Sequence, residues 1–499
     1  MIKDLSFVLN KHDKIAIIGE EGNGKSTILK VLINDPSLVD YVSFSGQINT
    51  NDELIGYLPQ HLDDEWLEIT ASDFLLKQKI DEKIEINDYN KLADMIIIAA
   101  KLDLDLNMIT DGRSLKVLSG GELIKLQLIK ILHQKPDILL LDEPTNDLDL
   151  DTLIWLQKFI KESECPILFV SHDETLLTNV TNGILHIEQL NKKTVAQYHF
   201  EHLDYASYIN KRREVLTKMT MLAKKEQAEH KIKMEKWNRI FARVDNDINS
   251  VSRQDPHKAK MLKRKMHAIK AAKKRLDNTE LRKIPDPEEA IDLYFPKIDL
   301  ANKKIILDLN IDNLMIDNRI LASGINLSVR GSEHVVIVGN NGVGKTTLIK
   351  EITNDLDQRS INYGYMPQDY RLAMNDEQSI LSYFEVVGDK DQTSTIRSYL
   401  GSLKFTPMEV EGKIKELSGG QKTKLALLKL VYQAPSVLIL DEPTRNLSPL
   451  SNPIIRKLLH DYQGCIIAVS HDRKFIQEVA NTIYELTNKG LRRIYDIIK

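Results

Sequence analysis

The chain has 499 residues, 42% of them apolar and 28% charged, and carries a formal net charge of −4. That length suits roughly two to four domains, and the composition excludes collagen, mucins, disulfide scaffolds and wholesale disorder. The longest uninterrupted apolar run, Met95–Ala100, is closed by Asp94 and Lys101. It falls far short of the ~20 residues of a spanning helix, so no membrane-crossing segment is expected. The opening MIKDLSFVLNKHDK has no basic flank, apolar run or small-residue cleavage site, so no signal peptide is expected. Cys165 and Cys465 form no CxxC, which fits neither a disulfide framework nor a zinc site and suits a reducing cytoplasm.

In chain order, the first element is a β-branched strand, KIAII at Lys14–Ile18, followed by GEEGNGKST (Gly19–Thr27) and helical sequence. This is the strand–loop–helix of a phosphate-binding loop. YLPQ ends at Gln60, LSGGE spans Leu118–Glu122, and a buried parallel strand is expected at Ile138–Leu141, running into Asp142 and Glu143. TNDLDLD (Thr145–Asp151) comes next, and the strand at Ile167–Val170 precedes VSHD around His172.

From Leu203 to Lys283 the sequence changes character. It has no glycine and one proline, Pro256, and reads as two long helices broken near Ser252–Pro256. Apolar residues recur at 3-4 spacing in Met234, Trp237, Phe241, Val244, Ile248 and Val251, and again in Ala259, Leu262, Met266, Ile269 and Leu276. The pattern predicts an antiparallel coiled-coil hairpin. This segment holds 23 Lys+Arg against 10 Asp+Glu, a net of +13, which leaves −17 on the rest of a chain totalling −4. A basic spike on an acidic body is suited to a polyanion and predicts steep salt dependence. Arg243, Arg253, Lys258, Lys260, Lys263, Arg264, Lys265, Lys273, Lys274 and Arg275 are the candidate RNA contacts. Trp237 and Phe241 can stack on bases, but their heptad spacing favours core packing.

Beyond the hairpin the first half repeats. After strand-like sequence at Lys303–Ile320 come VVIV (Val335–Val338), GNNGVGKTT (Gly339–Thr347), YMPQ ending at Gln368, LSGGQ (Leu417–Gln421), VLILDEPT (Val437–Thr444) and VSHD around His471. Five motifs recur in the same order, so the chain is an internal duplication. The first half has no counterpart of the strand-like Lys303–Ile320, so it is expected to lack an N-terminal β-hairpin. The expected domains are residues 1–200, a linker at 201–290, and 291–499.

The glycines Gly19, Gly22 and Gly24, and Gly339, Gly342 and Gly344, let backbone N–H groups curl around phosphate oxygens at a helix N-terminus. Lys25 and Lys345 neutralise the β/γ charge, and Ser26, Thr27, Thr346 and Thr347 supply hydroxyls, of which Ser26 and Thr346 are the candidate Mg²⁺ ligands. Asp142 and Asp441 can hold Mg²⁺ through water, and Gln60 and Gln368 can reach the metal or its water. Glu143 and Glu442 can polarise a water for in-line attack on a γ-phosphate, with His172 and His471 near that phosphate. In Ser119, Gly120 and Gly121, and in Ser418, Gly419 and Gly420, a serine and two glycines open a helix and make a second anion site. No phosphate is left for it within its own domain.

This set of motifs resembles the ATP-binding cassette (ABC) superfamily. The resemblance implies an α/β fold with two tandem P-loop ABC nucleotide-binding domains joined by a long antiparallel α-helical hairpin, ATP and Mg²⁺ as cofactors, and ATP hydrolysis. It also implies head-to-tail pairing, in which one site joins Lys25, Glu143 and His172 to Ser418–Gly420 and the other joins Lys345, Glu442 and His471 to Ser119–Gly121. Three departures predict unequal sites. The absent hairpin would supply an aromatic residue for adenine. Glu20 and Glu21 stand where the second loop has Asn340 and Asn341, adding negative charge near phosphates unless both side chains point away. TRNLSPLS (Thr444–Ser451) has Ser448 where the first half has Asp149.

Two cassettes, no membrane span and a charged hairpin between them resemble the ABC-F class across the whole chain. Membership implies a monomer with intramolecular pairing of its ATPase domains, working on the large ribosomal subunit with its hairpin in the tRNA exit site, near 23S rRNA and the P-site tRNA. TRNLSPLS and the small surplus between Gln60 and Leu118 look like members that protect ribosomes from antibiotics near the peptidyl-transferase centre. A housekeeping ABC-F translation factor and the ATPase subunit of a drug exporter stand as alternatives. A DNA-repair ATPase would need zinc cysteines or much longer coils.

Overall fold

The structure is a computed structural model that describes the chain except residues 1, 3, 40–41, 86–87, 190–194, 251–255, 280, 286, 288–290, 292, 299, 302, 317–318, 371–372, 386–388 and 496–499. It divides into two units, Met1–Tyr205 with Glu288–Lys499, and Ala206–Pro287.

The first unit contains two six-stranded sheets of matching topology. One is built from β1 (Lys14–Ile18), β2 (Ile55–Leu58), β3 (Ile138–Asp142), β4 (Ile167–Val170), β5 (Gly183–Gln189) and β6 (Val195–Glu201), in the order β2-β3-β4-β1-β5-β6. A strand pair, β7 (Ile305–Ile316) and β8 (Arg319–Arg330), then precedes β9 (His334–Val338), β10 (Tyr363–Met366), β11 (Val437–Asp441), β12 (Cys465–Val469), β13 (Thr482–Thr487) and β14 (Gly490–Ile494). These six form the second sheet in the order β10-β11-β12-β9-β13-β14. The central strands are parallel and buried on both faces, which their near-continuous Val, Ile and Leu content requires. Only the last pair of each sheet is antiparallel.

Alternation along the second sheet separates two cores. Val336, Val338, Leu438, Leu440 and Ile466 face a helical layer that includes Ile396, Leu400 and Leu427. Val335, Ile337, Val437, Ile439 and Ile467 face Leu348 and Ile352 of the phosphate-loop helix and Leu327 and Val329 of β8. The β7–β8 hairpin is antiparallel; among the described residues before β1 no strand is formed.

Register places the site. Ile17 and Asp142 both pair with Val170, one on each side of β4, so the loop after β1 and the acids after β3 emerge at one end of the sheet. The second sheet repeats this with Ile337 and Asp441 on either side of Val469.

In the second unit, a helix at Tyr205–Ser250 continues from the first unit and is followed by one at Pro256–Asp277. They run antiparallel. Trp237 Nε1 donates to Ile269 O at 2.8 Å, His230 Nε2 lies 3.1 Å from Leu276 O, and Glu226 pairs with Arg282 at 3.3 Å. Val244, Leu262, Met266 and Ile269 make the seam, with Trp237, Phe241 and Ile248 packed on it. The two rings stack on each other at 4.9 Å, so these aromatics serve the hairpin's interior. The predicted break at residues 251–255 lies outside the described residues, as do Arg253, the heptad residue Val251 and the side chains of Lys258 and Ala259. Among the described residues no helix is long and apolar enough to cross a membrane.

Candidate functional site

Each phosphate loop closes onto its own lysine. Lys25 Nζ donates to Gly19 O at 2.9 Å and Glu20 O at 3.1 Å, and Lys345 Nζ to Gly339 O at 2.6 Å and Asn340 O at 2.9 Å. Gly19 and Gly339 have φ of 144° and 153°, and a Cβ on them would lie 2.2 Å from Ile187 O and 2.5 Å from Leu486 O. Only glycine fits where the loop crosses the neighbouring strand so closely. Helices at Lys25–Leu32 and Lys345–Gln358 follow, each starting at a left-handed glycine, Gly24 or Gly344, with no side-chain cap. Their first N–H groups are left for an anion. Gly22, Thr27, Gly342 and Thr347 lie in the same turns and first helical residues.

The hydroxyl and the strand-end acid meet in both cassettes. Ser26 Oγ donates to Asp142 Oδ1 at 2.8 Å, and Thr346 Oγ1 to Asp441 Oδ2 at 3.2 Å. Burial holds both aspartates above the usual carboxylate range, despite those hydroxyls. Gln60 and Gln368 lie two residues beyond Leu58 and Met366, which pair with Leu141 and Leu440, so they share this end of the sheet. Two tyrosines escaped the sequence reading. Tyr57 Oη donates to Asp142 Oδ2 at 3.4 Å, and burial beside Asp441 pushes Tyr365 up to about 12. Their position three residues before each glutamine, at the head of YLPQ and YMPQ, was the available signal.

Glu143 and Glu442 adopt left-handed backbones, with φ of 50° and 53°. A non-glycine residue held there at a strand end is strained in the way functional residues often are. Their partners differ. His172 Nε2 lies 2.8 Å from Glu143 Oε1, whereas His471 Nε2 is 3.9 Å from Glu442 Oε1, too long for a hydrogen bond. The His471 backbone N–H donates to Glu442 Oε2 instead, at 3.3 Å. Burial alone would raise Glu143, but His172 and Lys25 outweigh it and hold the carboxyl below its ordinary value. Burial next to Asp441 pushes Glu442 up to about 8. His471, buried and facing Lys345, is held down at about 4.

Several buried atoms here make no hydrogen bond: Glu143 Oε2, Glu442 Oε1, His172 Nδ1, and both ring nitrogens of His471. Buried polar atoms need partners, and an attacking water and a phosphate would provide them. A carboxylate, a hydroxyl and phosphate oxygens are also the donors Mg²⁺ prefers, so these residues fit a Mg²⁺–nucleotide pair. β7 and β8 contain no aromatic residue; Leu314 and Leu321 stand over Gly344 instead, where a Cβ would meet them at 3.1 and 2.9 Å.

Ser119 and Ser418 are N-caps of helices at Gly120–His133 and Gly419–Gln433, and each forms a capping box with Glu122 or Gln421. The S-x-x-E/Q spacing in LSGGE and LSGGQ signals such a box in the sequence itself. The two cassettes meet head to tail within the first unit. Asn341 Nδ2 donates to Asp147 O at 2.6 Å, Arg445 pairs with Asp147 at 2.8 Å, and Glu20 pairs with Lys424 at 2.8 Å. The Glu21 carboxylate accepts from the Gly420 N–H. Arg456, almost fully buried, pairs with Glu174, and Tyr205 Oη donates to Pro449 O at 3.2 Å. The structure thus brings the first phosphate loop to Gly419 and Gly420. Asp147 bonds Asn341 of the second loop and Asp149 acts electrostatically on Lys345. Asp149 also caps the helix at Leu150–Glu162, whereas Ser448 accepts from Ser451 N and the matching helix starts later, at Asn452–His460.

A family model described as ABC transporter matches residues 2–146 and 322–445, more than half of the chain. ATP-binding protein Uup of Buchnera aphidicola (from Schizaphis graminum) is 30% identical over 508 residues, covering 98% of this chain and 79% of its own. ABC transporter F family member 2 of Arabidopsis thaliana is 26% identical over 538 residues, covering 98% and 75%. The chain belongs to the ABC-F family of ATPases. Among solved structures, an RNase-L inhibitor aligns with a TM-score of 0.56 at 17% identity, covering 98% of this chain and 86% of its own, and shares the tandem-cassette fold.

On the hairpin of this ABC-F ATPase, Arg243, Lys260, Lys263, Arg264, Lys265, Lys274 and Arg275 are exposed. Lys273 is half-buried, with Nζ 5.2 Å over the Trp237 ring. Apart from Lys273, the basic clusters stand on solvent-facing positions of the second helix, while Leu262, Met266 and Ile269 line its seam.

Proposed function

We propose that this ABC-F ATPase works on the ribosome and protects it from antibiotics bound near the peptidyl-transferase centre. In this reading residues 1–200 and 291–499 are the two ATPase domains of a monomer, and residues 201–290 form a linker that enters the tRNA exit site, near 23S rRNA and the P-site tRNA. The observation that carries it is the charge separation, +13 on Leu203–Lys283 against −17 elsewhere, with the hairpin's cations exposed. Such a segment binds a polyphosphate backbone through counterion release, while the acidic body resists indiscriminate RNA binding. Support also comes from the descriptions of fold neighbours at 17% and 16% identity, one an archaeal ribosome recycling factor in complex with a ribosomal stalk protein, the other ribosome-bound.

The site residues take these roles. Lys25 and Lys345 draw in the β/γ-phosphates, with loop N–H groups around them. Mg²⁺, when bound, neutralises phosphate charge, and Ser26, Asp142 and Gln60, or Thr346, Asp441 and Gln368, would hold it. Glu143 and Glu442 orient the attacking water, and His172 and His471 face the γ-phosphate. ATP closes the cassettes, the closed form holds the hairpin in the ribosome, and hydrolysis releases it.

The Glu143→Gln, Glu442→Gln double variant should co-sediment with ribosomes in ATP and not without it; absence of the ATP-dependent complex overturns the ribosomal reading. Drug susceptibility of cells expressing the chain with and without residues 245–256 tests protection. Resistance that survives the deletion removes the hairpin mechanism, and no resistance with either form favours a translation factor without a drug role.

A further inference from the structure

The acids of the first phosphate loop point away from its own nucleotide position and into the other cassette. Glu20 Oε1 pairs with Lys424 Nζ at 2.8 Å, with side chains 19% and 7% exposed. Glu21 Oε2 accepts from the N–H of Gly420, in the first turn of the helix at Gly419–Gln433. A Cβ on Gly420 would lie 2.7 Å from Asn446 O and 3.2 Å from Glu21 Oε2, so Gly420 lies between the Asn446 carbonyl and the Glu21 carboxylate with no room for a side chain.

Among the described residues, the other half of the interface has no such arrangement. Asn341 occupies the position of Glu21 and donates to Asp147 O. Lys125 occupies the position of Lys424, but bonds Asp103 O within its own cassette at 3.0 Å and covers the Trp155 ring. One interface therefore carries an anion of the chain itself on a helix N-terminus, where dipole and free N–H groups favour negative charge. The same N–H groups are those a γ-phosphate at the first site would use.

We propose that Glu21 is a specificity-determining residue that competes with the γ-phosphate at the first site. With ADP, the carboxylate keeps the Gly420 N–H; ATP gains it only by displacing the carboxylate. The first site therefore discriminates weakly between ATP and ADP, while the second, with Asn341, favours ATP. Glu20 pairs with Lys424 while the cassettes are together and holds them in register. This inference rests on the paired-site assignment of the ATPase reading.

The test is nucleotide titration of the full chain carrying Lys345→Ala, so that binding reports the first site, with and without Glu21→Asn. Asparagine is the residue the second loop carries at this position, and an unchanged unfolding midpoint confirms that the variant folds. The affinity for ATP should tighten about fivefold or more, a modest coupling, and that for ADP should stay within about twofold, the margin of context effects. Glu21→Gln, which keeps the acceptor but loses the charge, should fall between. Equal shifts for ATP and ADP, no shift for ATP, or weaker ATP binding overturn the proposal. If Lys25→Ala with Lys345→Ala binds nucleotide as well as the unaltered chain, the site assignment itself is wrong and the inference falls with it.

Discussion

The two halves of this protein carry the same five motifs on sheets of the same order, yet the strand-end glutamates proposed as catalytic live in different electrostatic surroundings. Glu143 touches His172 and stays charged; Glu442 stands beyond reach of His471, next to Asp441, and is pushed up to about 8. The first phosphate loop carries acids that seize the opposing cassette, and the second carries amides. Duplication conserved the backbone and let the side-chain environments diverge. If both proposed sites hydrolyse ATP, that difference makes them individually addressable.

The largest expected effect comes from removing the two glutamates one at a time. Glu143→Gln or Glu442→Gln should each lower hydrolysis at its own site by about 100-fold or more, leaving the other to be measured alone in single-turnover assays. Complete loss on either single substitution would mean that the sites turn over only together and that the asymmetry is irrelevant to rate.

Arg456 tests the interface that both halves share. It is 2% exposed and pairs with Glu174, itself 11% exposed. Arg456→Ala leaves a buried carboxylate without its cation and should cost about 3 kcal/mol, read as a lower urea midpoint. An unchanged midpoint would show that the pair contributes nothing to joining the cassettes.

Acidity sharpens the comparison. A base must be deprotonated to work, and Glu442 loses its proton only as pH rises through about 8. Hydrolysis by the second site alone, in Glu143→Gln, should therefore rise about tenfold between pH 7 and 9, while the first site alone, in Glu442→Gln, stays flat because Glu143 is already charged. Parallel profiles would contradict the assigned environments.

The smallest difference lies in the loops that follow. Asp149 accepts from Thr152 N as a helix cap, so Asp149→Ala should cost about 1 kcal/mol. The Ser448 hydroxyl accepts from Ser451 N in the turn before its helix, and Ser448→Ala should stay within about 0.5 kcal/mol. Thermal unfolding of the two variants decides between them, and equal losses would make the loops equivalent.

What the sequence determined by itself is what local chemistry dictates. The glycine loops, the strand-end acids, the heptads of the hairpin and the segregation of +13 from −17 are patterns over a few to a few tens of residues, and each specifies a backbone shape or a surface charge without reference to distant partners. The internal duplication was equally legible, from five motifs repeated in the same order. The direction taken by Glu20 and Glu21 was not. Glu21 meets Gly420 across 399 positions, and Glu20 meets Lys424 across 404. The left-handed backbones of Glu143 and Glu442, the extra 1.1 Å between His471 and Glu442 relative to His172 and Glu143, and the burial of Arg456 likewise depend on packing. Motif spacing fixes which groups are present at the end of a sheet. Only the tertiary structure decides which of them touch, how dry the site is, and therefore which carries its charge.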